Sequence, residues 1–267
     1  MSEEYEQIVP LKGLAPYVGG KRLLAPTLID LIDKVPHATY AEPFVGMGGV
    51  FFRRKSRPRS EVINDWSQDV STLFRVLQVH YTAFVEMLRW QITTRAEFER
   101  LVNTDPSTLT DLQRAARFFY LQKTRYGGLV TKGVFRVDPG ARASFDVTKI
   151  VPDLEAFHDR LAGVVIERLP YADMIKRYDR PGTLFFIDPP YVGSEDYYGP
   201  GMFGLDDFQR LADLLAAITG RFILTVNDCP LARKVFGQFK VRAKSLDYSL
   251  AGRGRSKKFQ ELIVQNN

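Results

Sequence analysis

An apolar run that stops at two prolines is the strongest constraint on what this chain can fold into. Residues 183–187, TLFFI, are typical of a buried strand. Asp188 follows, and then come Pro189 and Pro190, neither of which can donate a backbone N–H to a central sheet. The strand therefore ends at Asp188, and a carboxylate is placed at its carboxyl end.

Predicted strands and helices alternate on both sides of this segment. Upstream, we predict a helix over 23–35, a strand over 39–44, a glycine turn over 45–49, the start of a helix over 50–55, a strand over 61–65 and a helix over 69–79. Downstream, we predict strands over 163–170 and 221–228, helices over 171–178 and 205–218, and a closing hairpin around residues 251–258. This succession predicts an α/β fold with a doubly wound sheet.

The middle of the chain interrupts that alternation. Residues 109–124 have a helical pattern, and a basic stretch with several glycines, RYGGLVTKGVFRVDPGARASF, follows them. We therefore predict a mainly helical insert over 81–159 within a main domain formed by 1–80 and 160–267. A chain of 267 residues is long enough to bury one large core of this kind.

The positive charge is concentrated in two segments. The net charge is +6, whereas residues 113–149 and residues 239–258 each carry +6, which leaves −6 for the remainder. Two basic segments in an otherwise acidic chain indicate a polyanionic partner, although two solvated charged faces would give the same count.

Several classes of protein and site are disfavoured by composition. The acidic start MSEEYEQ is unlike a signal peptide, and no apolar stretch approaches the ~18 residues of a membrane helix. The single Cys229 forms no internal disulfide, and the three histidines show no zinc-ligand spacing. We expect a cytoplasmic protein with no metal site.

The glycine turn indicates a cofactor site. Gly46, Gly48 and Gly49 allow a tight turn and a close approach of the backbone to a ligand, although Phe51 replaces the third glycine of a dinucleotide fingerprint. Asp65, at the end of the next strand, is suitably placed to bind a ribose diol. Together they predict an adenosine-containing cofactor, either NAD or S-adenosylmethionine.

Lys21, in PYVGGKRLL, precedes a predicted helix, where its charge opposes the helix dipole. A ligand carboxylate would explain this placement, and an exposed surface lysine is the alternative.

Asp188 suits chemistry on an aromatic amine, whose nitrogen lone pair is delocalised into the ring. A carboxylate and a nearby carbonyl oxygen, each accepting one N–H bond, would draw that lone pair toward a methyl donor. The two prolines would orient the Pro189 carbonyl, and Tyr191 offers a face on which an extruded base can stack. A simple turn that ends the strand is the alternative.

The ordered set PYVGGK, AEPFVGMGGVFF, IND, FFIDPPY and RSKKFQELIV resembles the Dam-type class of DNA adenine N6-methyltransferases. The resemblance covers most of the chain. It implies a Rossmann-like methyltransferase sheet, S-adenosylmethionine as donor, a helical target-recognition insert, and transfer to the N6 amine of a flipped adenine in duplex DNA.

The resemblance also implies residue roles. Cofactor contacts fall on Tyr17, Lys21, Glu42, Pro43, Phe44, Gly46, Gly48, Asp65 and Tyr171, with Asp188 beside them. The catalytic loop is Asp188, Pro189, Pro190 and Tyr191. From the basic segments we predict that Arg125, Lys132 and Arg136 contact DNA in the insert, and that Arg253, Arg255, Lys257 and Lys258 grip phosphates.

Three other functions compete with this one. They are a nicotinamide-dependent oxidoreductase, a methyltransferase acting on RNA, a cytosine N4 amine or a protein amide, and a DNA-binding module without catalysis. The intact Asp188 and Asp65 and the basic segments favour DNA adenine methylation. We further expect double-stranded DNA as the partner of a monomer that needs no other protein.

Overall fold

A seven-stranded sheet with five parallel strands organises the molecule. The computed structural model describes residues 5–17, 19–128, 130, 133–137, 140, 143–193, 203–249 and 256–266, with only the backbone of 128, 246–249 and 256–258. The strands are β1 (Glu6–Gln7), β2 (Thr39–Glu42), β3 (Ser56–Arg57), β4 (Ser60–Asn64), β5 (Val165–Glu167), β6 (Thr183–Ile187), β7 (Arg221–Asn227), β8 (Lys240–Ser249) and β9 (Ser256–Gln265). The sheet order is β5-β4-β2-β6-β7-β9-β8, with β9 antiparallel to both of its neighbours. The predicted α/β fold with a Rossmann-like sheet and a closing hairpin is confirmed.

The central strand β6 explains why the sheet has a layer on each face. All five of its residues are buried. Leu184 and Phe186 belong to one apolar cluster, and Phe185 and Ile187 belong to the other. Because successive side chains of a strand point to opposite faces, each face of β6 needs its own cover of helices.

Nine α-helices of the described chain provide that cover and form the insert. They are α1 (Ala25–Ile32), α2 (Gln68–Val79), α3 (Tyr81–Arg89), α4 (Arg95–Asn103), α5 (Asp111–Thr124), α6 (Val147–Leu161), α7 (Tyr171–Tyr178), α8 (Leu205–Ala217) and α9 (Pro230–Phe236). Buried residues of α1 to α6 share one cluster, and those of α7 to α9 share the other. No helix of the described residues is long and apolar enough to cross a membrane.

The predicted insert corresponds to helices α3 to α6. Helices α5 and α6 pack on α2 of the main domain, and the Phe157 ring lies edge-on to Phe52 with a centroid distance of 4.7 Å. The insert therefore shares the core on one face of the sheet. The residue limits 81–159 stay a prediction, and α6 continues to Leu161.

Two local predictions were wrong, and a third was right with narrower bounds. The helix predicted over 23–35 is confirmed as α1, Ala25–Ile32, with a proline in its first turn. The helix predicted from residue 50 is a 3-10 turn, Phe51–Arg53, which ends because Arg54 is extended and buries its side chain. Lys257 and Lys258 belong to β9 and lie opposite Tyr248 and Asp247 of β8, not in the connecting loop.

A buried cluster of three charges joins the insert to the sheet. Glu61 on β4 accepts hydrogen bonds from Arg54 at 2.7 Å and from Arg160 of α6 at 2.6 and 2.7 Å. The side chains of all three residues are at most 4% exposed. The guanidinium groups also lie over the rings of Tyr40 and Phe51, at 3.7 and 4.2 Å from the ring centroids. Two buried cations thus share one carboxylate. Their burial is tolerated only because this carboxylate compensates their charges.

We expect Glu61→Gln to destabilise the protein by about 3–5 kcal/mol, because it leaves two buried guanidinium groups without a counter-charge. The free energy of unfolding in urea measures this loss. The control is Asp111→Asn, which removes the exposed ion pair between Arg75 and Asp111 and should cost less than about 1 kcal/mol. Equal losses in the two variants would contradict the structural role of the buried cluster.

Candidate active site

A cleft opens at the carboxyl ends of β2 and β6. These adjacent parallel strands are flanked by β4 on one side and β7 on the other, so the strand order reverses between them. Ligands of open α/β sheets bind at such a switch point. The cleft has a volume of about 600 Å³ and is lined by the glycine turn, Asp188 and residues of the insert.

The glycine turn needs its glycines. Gly46 and Gly48 have φ of +50° and +66°, a region that side chains strongly disfavour. A Cβ on Gly48 would lie 2.3 Å from the Phe52 ring, and one on Gly46 would lie 3.0 Å from the Tyr17 ring. Tyr17 therefore packs directly against the turn, on the same side of the cleft.

Asp65, which was predicted to bind a ribose, holds two turns of the backbone by hydrogen bonds. Its two carboxylate oxygens accept backbone N–H bonds from Gly46 and Ser67, both at 2.9 Å. Burial raises the pKa of Asp65 to about 6, against the lowering effect of these two bonds. Asp65 lines the cleft and ties the turn after β2 to the turn after β4.

Aromatic rings form one side of the cleft. The centroids of Phe44, Tyr171 and Phe203 lie 5.5 to 5.7 Å from one another. Phe44 and Phe203 line the cleft together with the half-exposed Trp66. Tyr171 stands behind them and donates from its hydroxyl to Asp207 at 3.1 Å. Neither Phe203 nor Trp66 was predicted, because neither belongs to a motif.

Lys21 pairs with Asp188. Its Nζ lies 2.7 Å from Asp188 Oδ2, donates to the Gly19 carbonyl at 2.7 Å, and lies 4.5 Å from the centroid of Tyr191. Lys21 is 3% exposed and Asp188 is 18% exposed. Lys21 was predicted to meet a ligand carboxylate, whereas here its charge meets the carboxylate of Asp188.

Asp188 is held on both oxygens. Thr225 Oγ1 donates to Oδ1 at 2.8 Å, while Lys21 occupies Oδ2. Burial raises the pKa of Asp188, and the charge and hydrogen bond of Lys21 and the bond from Thr225 act to lower it. Lys21 therefore favours the ionised form, which is the form that accepts hydrogen bonds.

Glu42 is a second buried acid of the cleft, besides Asp188. It ends β2, is 1% exposed, and accepts a hydrogen bond from Tyr40 Oη at 2.6 Å. Burial raises its pKa to about 8, with Asp188 adding to the rise. The carbonyl of the following Pro43 accepts from Asn64 at 2.9 Å, which fixes the strand end.

Residues of β7 and β9 anchor the loop that follows β6. Asn227 accepts from the Val192 N–H at 3.0 Å and donates to the Val192 carbonyl at 3.1 Å. Tyr191 donates to Glu261 at 2.6 Å, and Glu261 lies opposite Asn227 in the sheet. Pro189 and Pro190 are buried between these contacts.

Sequence reasoning missed Thr225, Asn227 and Glu261. Their only signal is a polar residue at alternate positions in otherwise apolar strands, TVN in β7 and ELIV in β9.

The predicted DNA contacts have different surroundings. Arg136 is exposed and lines the cleft. Arg125 also lines it but is 6% exposed, and its guanidinium donates to the Val130 carbonyl. Lys132, Arg253 and Arg255 lie outside the described residues, as do the side chains of Lys257 and Lys258. The DNA-binding roles stay predictions, and burial makes Arg125 a poorer candidate than Arg136 for reading bases.

Two comparisons with known proteins agree with this geometry. Residues 17–250 match the sequence model of the family described as D12 class N6 adenine-specific DNA methyltransferase. The chain is also 22% identical over 232 residues to the type II methyltransferase M.CviBI of Paramecium bursaria Chlorella virus NC1A, with 85% of this chain and 86% of the relative covered. The family match decides against a nicotinamide-dependent oxidoreductase. With the match extending from Tyr17 through the loop after β6, the chain belongs to the D12 class of N6 adenine-specific DNA methyltransferases.

Proposed function

We propose that this enzyme transfers the methyl group of S-adenosylmethionine to the N6 amine of an adenine that is flipped out of duplex DNA at a specific sequence. The observation that carries the proposal is the Asp188 carboxylate. It lies at the switch point of the sheet, beside the glycine turn, and both of its oxygens are held by side chains.

The cofactor side of the cleft fits S-adenosylmethionine. The aromatic rings of Phe44 and Phe203 offer flat apolar faces to an adenine. Asp65, half-buried beside the glycine turn and ionised above its pKa of about 6, adds negative charge, which favours a ligand with cationic sulfonium and ammonium groups. When bound, the cofactor supplies an electrophilic methyl group on sulfur. We assign its binding to Tyr17, Lys21, Glu42, Pro43, Phe44, Gly46, Gly48, Asp65, Tyr171 and Asp188.

The acceptor side consists of the loop from Asp188 to Tyr191. An oxygen of Asp188 and the Pro189 carbonyl each accept one N–H of the adenine amine, which leaves the nitrogen lone pair directed at the methyl carbon. Tyr191, held by Glu261, supports the extruded base by stacking. After transfer, the methylated N6 loses one proton to the Asp188 carboxylate, which passes it to water, while the Pro189 carbonyl only accepts a hydrogen bond.

Lys21 favours the ionised form of Asp188 at a largely buried position. Burial alone favours the neutral carboxylic acid, and a protonated Asp188 has one oxygen fewer to accept the amine. The ammonium group at 2.7 Å opposes this effect. Lys21 thus acts on the reaction through Asp188, as a positioning residue.

The experiment that tests the function uses plasmid DNA from a host without adenine methylation. The purified enzyme is incubated with this DNA and methyl-labelled S-adenosylmethionine, and the nucleosides are separated by mass spectrometry. We expect label in N6-methyladenine, at a site that sequencing can locate. Label in N4-methylcytosine, or transfer to RNA and none to DNA, would contradict the proposal.

We expect Asp188→Ala to lower kcat by on the order of 100-fold or more, because an acceptor used in the transition state is removed. Asp188→Asn should also be severely impaired, since an amide is a weaker acceptor and its NH2 opposes the amine of adenine. Calorimetry should show that both variants still bind the methyl donor. Near-normal turnover by the Asn variant would show that Asp188 is not a catalytic residue.

A second prediction concerns pH. Lys21→Gln removes the charge that lowers the pKa of Asp188, so burial should raise that pKa further. Because transfer requires the ionised carboxylate, the acid limb of the kcat profile should move to higher pH. The matched control is Lys34→Gln, at an exposed position outside the cleft, which should leave the profile unchanged. An acid limb at the wild-type position in Lys21→Gln would show that Lys21 does not control Asp188.

A third prediction concerns the anchor of Tyr191. Tyr191→Phe removes the hydrogen bond to Glu261, whereas Glu261→Gln removes the charge that strengthens it. A charge-assisted bond of this kind is worth about 1.5–3 kcal/mol. We expect both variants to lower kcat at unchanged donor affinity, and the double variant to be no slower than the slower single variant. Tyr178→Phe with Glu167→Gln is the control pair, since it removes an equally short bond, of 2.6 Å, outside the cleft. Strictly additive losses at Tyr191 and Glu261 would argue that the bond does not position the loop.

A further inference from the structure

The cleft is lined by more basic than acidic side chains. Its acids, Glu42, Asp65 and Asp188, are buried or half-buried. Seven basic side chains of the described chain line the same cleft, and Lys21 is the one paired with Asp188. Three others, Lys123, Arg125 and Arg136, come from the insert, and of these Arg125 and Arg136 were predicted to contact DNA. The remaining three are Lys12, Arg22 and Arg53, which lie outside both basic segments of the sequence. We call these three the N-terminal rim.

The N-terminal rim is held in place by backbone contacts with the glycine turn. The Leu11 N–H donates to the Phe52 carbonyl at 2.7 Å, and the Leu14 N–H donates to the Met47 carbonyl at 3.2 Å. The segment that carries Lys12 therefore runs along the turn after β2. Arg53 also contacts the glycine turn, because its guanidinium donates to the Gly49 carbonyl at 2.5 Å.

Gly13, next to Lys12, lies close to this guanidinium. A Cβ on Gly13 would lie 3.5 Å from Nη1 of Arg53, which is an ordinary van der Waals distance. Lys12, Arg22 and Arg53 all line the cleft, and Arg22 lies near enough to Arg53 for their charges to interact.

The charges of the rim have no acidic partner within the described part of the chain. Among the residues that the structure describes, neither Lys12 nor Arg22 nor Arg53 forms an ion pair with a carboxylate. Burial and the nearby charge of Arg22 both lower the pKa of Arg53. Arg22 also precedes the N-terminus of α1, where a cation opposes the helix dipole. Like charges gathered at such a place are stabilised by an anionic ligand.

We propose that the N-terminal rim binds phosphates of the DNA backbone on the cofactor side of the cleft. This inference rests on the proposed function, since it requires DNA to lie over the cleft that holds Asp188. The insert then grips the duplex from one side and the N-terminal rim from the other, with the flipped nucleotide between them. Contacts of this kind are independent of sequence and depend strongly on salt.

The test is the double variant Lys12→Ala/Arg22→Ala. Arg53 is left intact because its bond to Gly49 shapes the glycine turn. Binding to a labelled 30-base-pair duplex of arbitrary sequence is followed by fluorescence anisotropy over a series of salt concentrations. The slope of log Kd against log salt should fall by about 0.9 for each phosphate that the variant no longer neutralises, or about two units in all.

The matched control is Lys34→Ala/Lys176→Ala, which removes the same charge at two exposed positions outside the cleft. Its slope should equal that of the wild type. Calorimetry with S-adenosylmethionine should give the wild-type affinity for the rim variant, because the rim is assigned to DNA alone.

Two results would overturn the proposal. A wild-type slope in the rim variant would show that these cations do not touch the backbone. A decrease in donor affinity of tenfold or more at unchanged slope would show that the rim meets the carboxylate of the cofactor instead. Failure of the proposed function would look different, since the wild type itself would then transfer no methyl group to DNA.

Discussion

The ion pair between Lys21 and Asp188 is the interaction on which the site depends. Two charges that are largely removed from water are tolerated only when each compensates the other. Asp188 directly follows the central strand β6, whereas Lys21 comes from the turn before α1, so the N-terminal segment must return to the carboxyl edge of the sheet. Under the proposed function, the same contact joins the half of the cleft that binds the cofactor to the half that binds the base.

The scaffold around this pair is built from further buried polar contacts. Thr225 and Asn227 on β7, with Glu261 on β9, hold the loop after β6 on the side away from the insert. Toward the insert, a continuous series of contacts runs from Arg160 through Glu61 and Arg54 to Tyr40, whose hydroxyl meets Glu42 at the cleft. The insert and the Glu42 side of the cleft are therefore parts of one packed structure.

Much of this architecture could be predicted from sequence, because it depends on local patterns. Apolar runs located the strands, helical periodicity located α2, α7 and α8, and the loop after Asp188 was identified from its prolines. Contacts between distant strands could not be predicted in the same way. The register that brings Glu261 beside Asn227 and the packing that buries Arg54 and Arg125 follow from tertiary structure. For the same reason, the partner of Lys21 became visible only when the fold brought residue 188 next to it.

The most direct test of the central claim is an NMR titration of the Asp188 carboxyl carbon in protein labelled with 13C at aspartate side chains, with the signal assigned through Asp188→Asn. The account predicts that this signal titrates at lower pH in the wild type than in Lys21→Gln, because the ammonium group stabilises the carboxylate. The same titration midpoint in both proteins would contradict it, since the ion pair would then have no influence on the ionisation of Asp188.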